Sequence, residues 1–106
     1  MDTTISLLAR TLGATAIETA HGDARFIVDG LSGARLKVSV FGRTQRFMGV
    51  LTDAQGQVRS TVDIAPVSSA SEDPAFPGRV TLHVGRTLVH IDTKPTLAIE
   101  VVSEQR

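Results

Sequence analysis

His83, His90 and Asp92 are the residues of this chain whose types and spacing come nearest to a site for chemistry. They fall in the stretch RVTLHVGRTLVHID, Arg79 to Asp92, where apolar and polar residues alternate around Gly85-Arg86 and predict a tight β-hairpin. A two-residue turn with glycine first suits type II′ geometry and sets the register, with Val84 facing Thr87, Leu82 facing Val89 and Val80 facing Ile91. Val80, Leu82, Val84, Val89 and Ile91 then share a core side, and Arg79, Thr81, His83, Leu88, His90 and Asp92 a wet side. Two imidazoles and a carboxylate on one surface could ligate a divalent metal, as in sites built from two histidines and one acid. The plainer reading is preferred, because strand alternation alone places polar residues on a solvated face. No neighbouring group is in view to orient either imidazole, so no metal and no cofactor is expected. Arg79 opposite Asp92 reads as an exposed cross-strand ion pair worth less than about 1 kcal/mol.

Other routes to chemistry are thinner. There is no cysteine, which excludes disulfides, thiolate zinc sites and cysteine nucleophiles. Ser68, Ser69 and Ser71 have no histidine at a spacing that predicts contact, and no nucleophile elbow, phosphate-cradling loop or paired carboxylate stands out. No catalytic residue is named and no enzyme is expected. Eleven basic residues balance eleven acidic ones, so the chain lacks the overall field that gathers nucleic acid or an anionic membrane. Arg35, Arg43, Arg46, Arg59 and Arg86 could form a local basic patch, but with four Phe and neither Tyr nor Trp the stacking platforms of a single-strand binder are scarce. Nucleic acid is therefore not expected as a specific ligand. No apolar run approaches the roughly 20 residues that span a bilayer, and the N-terminus lacks the basic region of a secretory signal, so a cytoplasmic pool is expected.

The elements that must position these residues follow from periodicity. Asp2 as N-cap, Ile5, Leu8 and Leu12 at helical spacing, and Gly13 as a terminating glycine predict a short helix over about 3–12. Three turns are marginal in water, so this helix must dock on a sheet or on a partner. Its apolar residues Ile5, Leu8 and Leu12 are candidate partner contacts, with burial in the chain's own core the preferred alternative. Residues 14–20 read as a strand with a helix competing, and His21-Gly22-Asp23 turns into a second strand from Ala24 to Asp29. A meander is predicted over 36–65: Leu36, Val38 and Val40 alternate, Gly42-Arg43 reverses the chain to oppose Val38 to Phe47, and Asp53-Ala54-Gln55-Gly56 turns it again, setting Leu51 opposite Val58 and Phe47 opposite Val62. Residues 66–78, PVSSASEDPAFPG, hold three of the four prolines and read as a loop too long for a simple connection. In it Pro74, Phe76 and Pro77 are candidate partner contacts, with Phe76 folding back over the sheet as the equal alternative. After the hairpin of 79–92, a last strand occupies about 97–102, before a polar tail. One domain spans 1–106, mainly β: a small antiparallel sandwich or partly closed barrel with one short N-terminal helix.

A short helix ending at Leu12-Gly13, β-strands, a proline-bearing loop and a late hairpin with Gly78-Arg79, Gly85 and Leu88-Val89 resembles the small head-tail joining and tail-attachment proteins of tailed bacteriophages. Leu88 stands where that family carries an aromatic residue. The resemblance implies a non-enzymatic structural component of a virion or prophage, assembled as a homo-oligomeric ring and contacting other structural proteins through its loops. The alternative is a small β binding module that recognises a peptide or small ligand through the proline-rich loop.

Overall fold

The computed structural model describes residues 2–103, with backbone alone for residues 2, 3, 16 and 103. Helix α1 (Asp2–Leu12) is followed by strands β1 (Ala16–Ala20), β2 (Asp23–Asp29), β3 (Arg35–Phe41), β4 (Arg46–Thr52) and β5 (Val58–Ile64). Strands β6 (Ser69–Glu72), β7 (Arg79–Val84), β8 (Thr87–Asp92) and β9 (Ala98–Ser103) complete the chain. The first five strands form one antiparallel sheet in sequence order and the last four a second, with no closed barrel. The capping role expected of the Asp2 side chain, and the polar tail beyond Ser103, lie outside the described residues. No described helix is long and apolar enough to cross a membrane.

Period-2 alternation builds the core. Phe26 and Val28 on β2, Leu36, Val38 and Val40 on β3, and Phe47 and Leu51 on β4 meet Val80, Leu82, Val89, Ile91 and Ile99 of the second sheet in one buried cluster. Each such side chain removed from water contributes roughly 1.5–3 kcal/mol, which is what holds the two sheets face to face. Leu8 and Leu12 join this cluster, so α1 docks through them onto β6, β7 and β2. The helix ends where Gly13 takes a φ of 66° and Ala14 N donates to the Ala9 carbonyl at 3.1 Å, a Schellman closure.

The hairpin has the expected register, with Val84 paired to Thr87, Leu82 to Val89 and Val80 to Ile91. Residues 16–20 are strand rather than helix, paired to β2 through the His21-Gly22 turn. The meander differs in register. Val40, not Val38, pairs with Phe47, because the β3–β4 connection uses four residues and its left-handed position is Gln45 (φ 55°). Gly42 serves a different need there: its N–H donates to Asp23 Oδ1 at 3.0 Å, and a Cβ on it would overlap the Gly22 carbonyl. Between β4 and β5, Leu51 pairs with Ser60 and Phe47 with Ile64, and an irregularity between Leu51 and Thr52 leaves Val58 opposite Thr52. That bulge inserts the residue which turn chemistry alone leaves out.

The expected loop of 66–78 is corrected as well. Ser69–Glu72 pairs with β7, setting Ser69 opposite His83 and Glu72 opposite Val80, and Val67 is buried in the core. Ser, Ala and Glu carry little strand propensity, so this strand exists because β7 offers its backbone groups a partner. The true connection is residues 73–78.

Candidate functional site

With β6 on one side and β9 on the other, β7 and β8 are central strands, and the supposed wet face of the hairpin is a lateral row: Ser71, Thr81, His90 and Glu100 stand opposite one another across four strands. Thr81 is consequently buried, and its Oγ1 lies 3.0 Å from His90 Nδ1. His83 is in the next row and its Nε2 lies 3.4 Å from Ser71 Oγ. The Asp92 carboxylate is occupied by Arg79, whose Nε and Nη2 donate to its two oxygens at 2.6 and 3.2 Å. His83, His90 and Asp92 are thus each directed at a different neighbour. Among the described residues no three His, Cys, Asp or Glu side chains are grouped to hold a metal ion.

The Arg79–Asp92 pair is also more enclosed than register predicts, each side chain being 22 % exposed. Asp92 lies between Arg79 and Ala98 of the flanking strands, and Phe76 covers the Arg79 side, its ring centroid 4.2 Å from the guanidinium carbon. Hydrogen bonding to Asp92 raises the Arg79 pKa above its ordinary value, and the nearby Asp73 and Glu100 add to that. The tip that carries Phe76 is internally braced. Ala75 N donates to Asp73 Oδ1 at 2.9 Å, Phe76 N to the Asp73 carbonyl at 3.0 Å, and Arg79 N to the Phe76 carbonyl at 3.1 Å. Asp73 therefore forms an Asx turn that leads into a β-turn, the chemistry that aspartate at the head of a turn provides. Phe76 stays 52 % exposed on this frame, flanked by exposed Pro74 and Pro77. It neither folds back into the core nor hangs free, but covers Arg79 with one face. Below it Thr11, Glu72, Asp73 and Gly78 line a shallow hollow of about 300 Å³, where Thr11 Oγ1 donates to Glu72 at 2.6 Å. An aromatic ring preorganised against an arginine, with carboxylates beside it, is equipped for non-covalent recognition.

The remaining sequence candidates are divided. Leu8 and Leu12 are buried, at 0 % and 4 % exposure, and are removed from the partner-contact set because the core covers them; Ile5 is half-buried. Arg35, Arg46 and Arg59 are ion-paired to Asp29, Asp63 and Asp53, so the five arginines do not build a continuous basic patch. Hydrogen bonds to Arg46 and to the Gln57 amide, respectively, hold the Asp63 and Asp53 carboxyls below the usual range. Sequence reading missed several things, the first being Ser71, which was expected to have no histidine in contact and has His83 Nε2 at 3.4 Å. It paired Arg79 with Asp92 but not with Phe76, although the short spacing around Pro77-Gly78 was the signal. It also passed over Ile17, 51 % exposed on β1, since AIETA has no marked pattern.

Taken together, the architecture is a two-sheet antiparallel sandwich with a docked helix and an aromatic tip braced by its own turn hydrogen bonds. Among solved structures it is similar to a chain of the contact-dependent growth inhibition toxin–immunity protein complex from Klebsiella pneumoniae 342, with a TM-score of 0.74 and 14 % identity over 95 % of this chain and 93 % of that one. At that identity the likeness shows the fold. No family model and no curated protein matches the sequence. The resemblance to phage head-tail joining proteins is overturned by this match, and with it the structural, virion-assembly and connector reading. The motif behind that resemblance has a local origin: Gly78 (φ 84°) lies in the Phe76–Arg79 turn before β7 and Gly85 (φ 58°) in the β7–β8 turn, two separate turns whose positive φ favours glycine. The solved neighbour comes from a protein–protein complex.

Proposed function

We propose that this chain is a protein-binding module that inhibits a protein partner by covering it, in the manner of an immunity protein, and that it performs no catalysis. The observation that carries this reading is the end-to-end likeness of its fold to a chain of a toxin–immunity protein complex. The surface around Phe76 supports it. A half-exposed aromatic ring held by Arg79 has the composition of an interface hot spot, and Glu72 and Asp73 beside it suit a partner that offers an apolar pocket rimmed by cations. A second copy of the chain is a poorer occupant of that surface, because the two carboxylates would face their own kind. The reading sets the encounter in the cytoplasm.

An inhibitor has to accompany its target, so the products of the genes flanking its own are the partners to test. Each is expressed with and without this chain, and growth and binding are measured. The expected result is growth arrest by one product and its relief by this chain, with Phe76→Ala weakening the complex by about 30-fold or more, a hot-spot loss, while the fold is kept. Arrest of growth by this chain alone, or no flanking product whose toxicity it relieves, refutes the reading.

A further inference from the structure

The two sheets have four edges, and three are managed. β5 and β9 lie against one another, and α1 packs along β6. Among the described elements, β1 is left with β2 as its main neighbour. Edge strands are ordinarily blunted by short length, by charge and above all lysine, by proline or by a covering element; five-residue β1, AIETA, has neither lysine nor proline, and its one charge, Glu18, stands opposite Arg25.

Its pairing decides where its backbone points. The two-residue turn His21-Gly22 makes Ala20 and Asp23 the closing hydrogen-bonded pair, so the hydrogen-bonded pairs recur at Glu18/Arg25 and Ala16/Ile27. Ile17 and Thr19 lie between them and direct their N–H and C=O groups away from β2, off the edge of the sheet. Opposite Phe26, Ile17 is on the core-facing side of β1, yet it is 51 % exposed, with no described strand flanking it beyond. A groove of about 380 Å³, lined by Ile5, Ser6, Thr19, His21 and Asp23, runs between α1 and the β1–β2 turn beside this edge.

We propose that β1 is a docking edge at which an extended segment of a protein partner adds as a sixth, antiparallel strand, bonding to the outward backbone groups of Ile17 and Thr19. The segment alternates, with apolar side chains toward Ile17 and the groove and a basic side chain on the outer face against Glu18. A second copy of β1 meets this requirement badly, since pairing centred on Glu18 sets two carboxylates directly opposite in the close, non-hydrogen-bonded position. The proposal rests on the protein-binding reading for the source of the segment, but the edge is tested without it.

The probe is a displayed library of random nonapeptides, selected on the purified full chain and on Thr19→Pro. Proline at 19 removes only an outward N–H and is compatible with an edge strand, so it blocks addition while leaving the β1–β2 ladder intact. Enriched peptides with alternating apolar positions and a Lys or Arg are expected. Their affinity falls at least tenfold on Thr19→Pro, and the Ile17 and Thr19 amides, fast to exchange in the free chain, slow at least tenfold when peptide binds. Should Thr19→Pro fail to fold by its thermal transition, Ile17→Lys takes its place with the same expected loss. No enrichment, peptides indifferent to both variants, or protection confined to other strands overturns the proposal. So does a dimer of the free chain that Thr19→Pro dissolves. Growth relief without any edge-dependent peptide leaves the inhibitor reading standing and removes the docking edge, and the converse result separates them the other way.

Discussion

Leu8→Ala distinguishes a helix that belongs to the core from one held out for a partner. Leu8 is completely buried and lies with Leu12 in the same cluster as Leu82 and Val80, where α1 meets β6 and β7. Truncating a leucine in such a place removes its transfer free energy and leaves a cavity, with a cost of about 2–5 kcal/mol. An eleven-residue helix has little stability of its own, so the loss is not recovered by local relaxation. A central value of about 3 kcal/mol, out of a total of about 5–15 for a domain, corresponds to a fall in Tm of about 15 °C at about 5 °C per kcal/mol. Thermal melts followed by circular dichroism measure it, with Ser6→Ala as the control. Ser6 is exposed on the same helix, and alanine there is the better helix former, so its Tm should hold or rise slightly. A Leu8→Ala melt within about 5 °C of the unaltered chain would refute the packing argument and return Leu8 to the partner-contact set.

Gly42→Ala should destabilise the chain by about 1–3 kcal/mol in urea unfolding, because its Cβ meets the Gly22 backbone and the two turns must part; Arg43→Ala, at the neighbouring exposed position, should not. Asp53 accepts hydrogen bonds from the Gln57 and Gln55 amides, which hold its folded pKa below the unfolded one. Its contribution is therefore complete above the ordinary aspartate pKa and lost as pH falls through the depressed folded value, so Asp53→Asn should flatten the acid limb of a stability-against-pH curve, and an unchanged limb would contradict this.

Several features could be read directly because their causes are local. A hairpin closed by Gly85-Arg86 has its register set within the turn, and alternation then assigns Val80, Leu82, Val89 and Ile91 to the core. Leu8, Leu12 and Gly13 specify a helix and its end in the same way. Where the cause is a neighbour distant in sequence, reading failed in a regular manner. Local turn chemistry assigns the β3–β4 reversal to Gly42-Arg43, whereas the real constraint on Gly42 is the approach of Gly22, about twenty residues away. Of the site, Phe76, Pro74 and Pro77 were legible as a proline-framed tip, but the Arg79 face beneath the ring was not, nor was the division of labour among the histidines.

By itself, then, the sequence determined a mainly β chain with a docked helix, since apolar periodicity and turn chemistry act over a few residues and leave little choice. Only the tertiary structure decided that Ser69–Glu72 is a strand, that Thr81 is buried and that His83, His90 and Asp92 turn to separate neighbours. It also decided that, among the described elements, β1 has a strand on one side only. The physical reason is common to all of these: backbone groups and weakly patterned side chains take whatever partner the packing of remote segments brings to them, and no window of a few residues contains that partner.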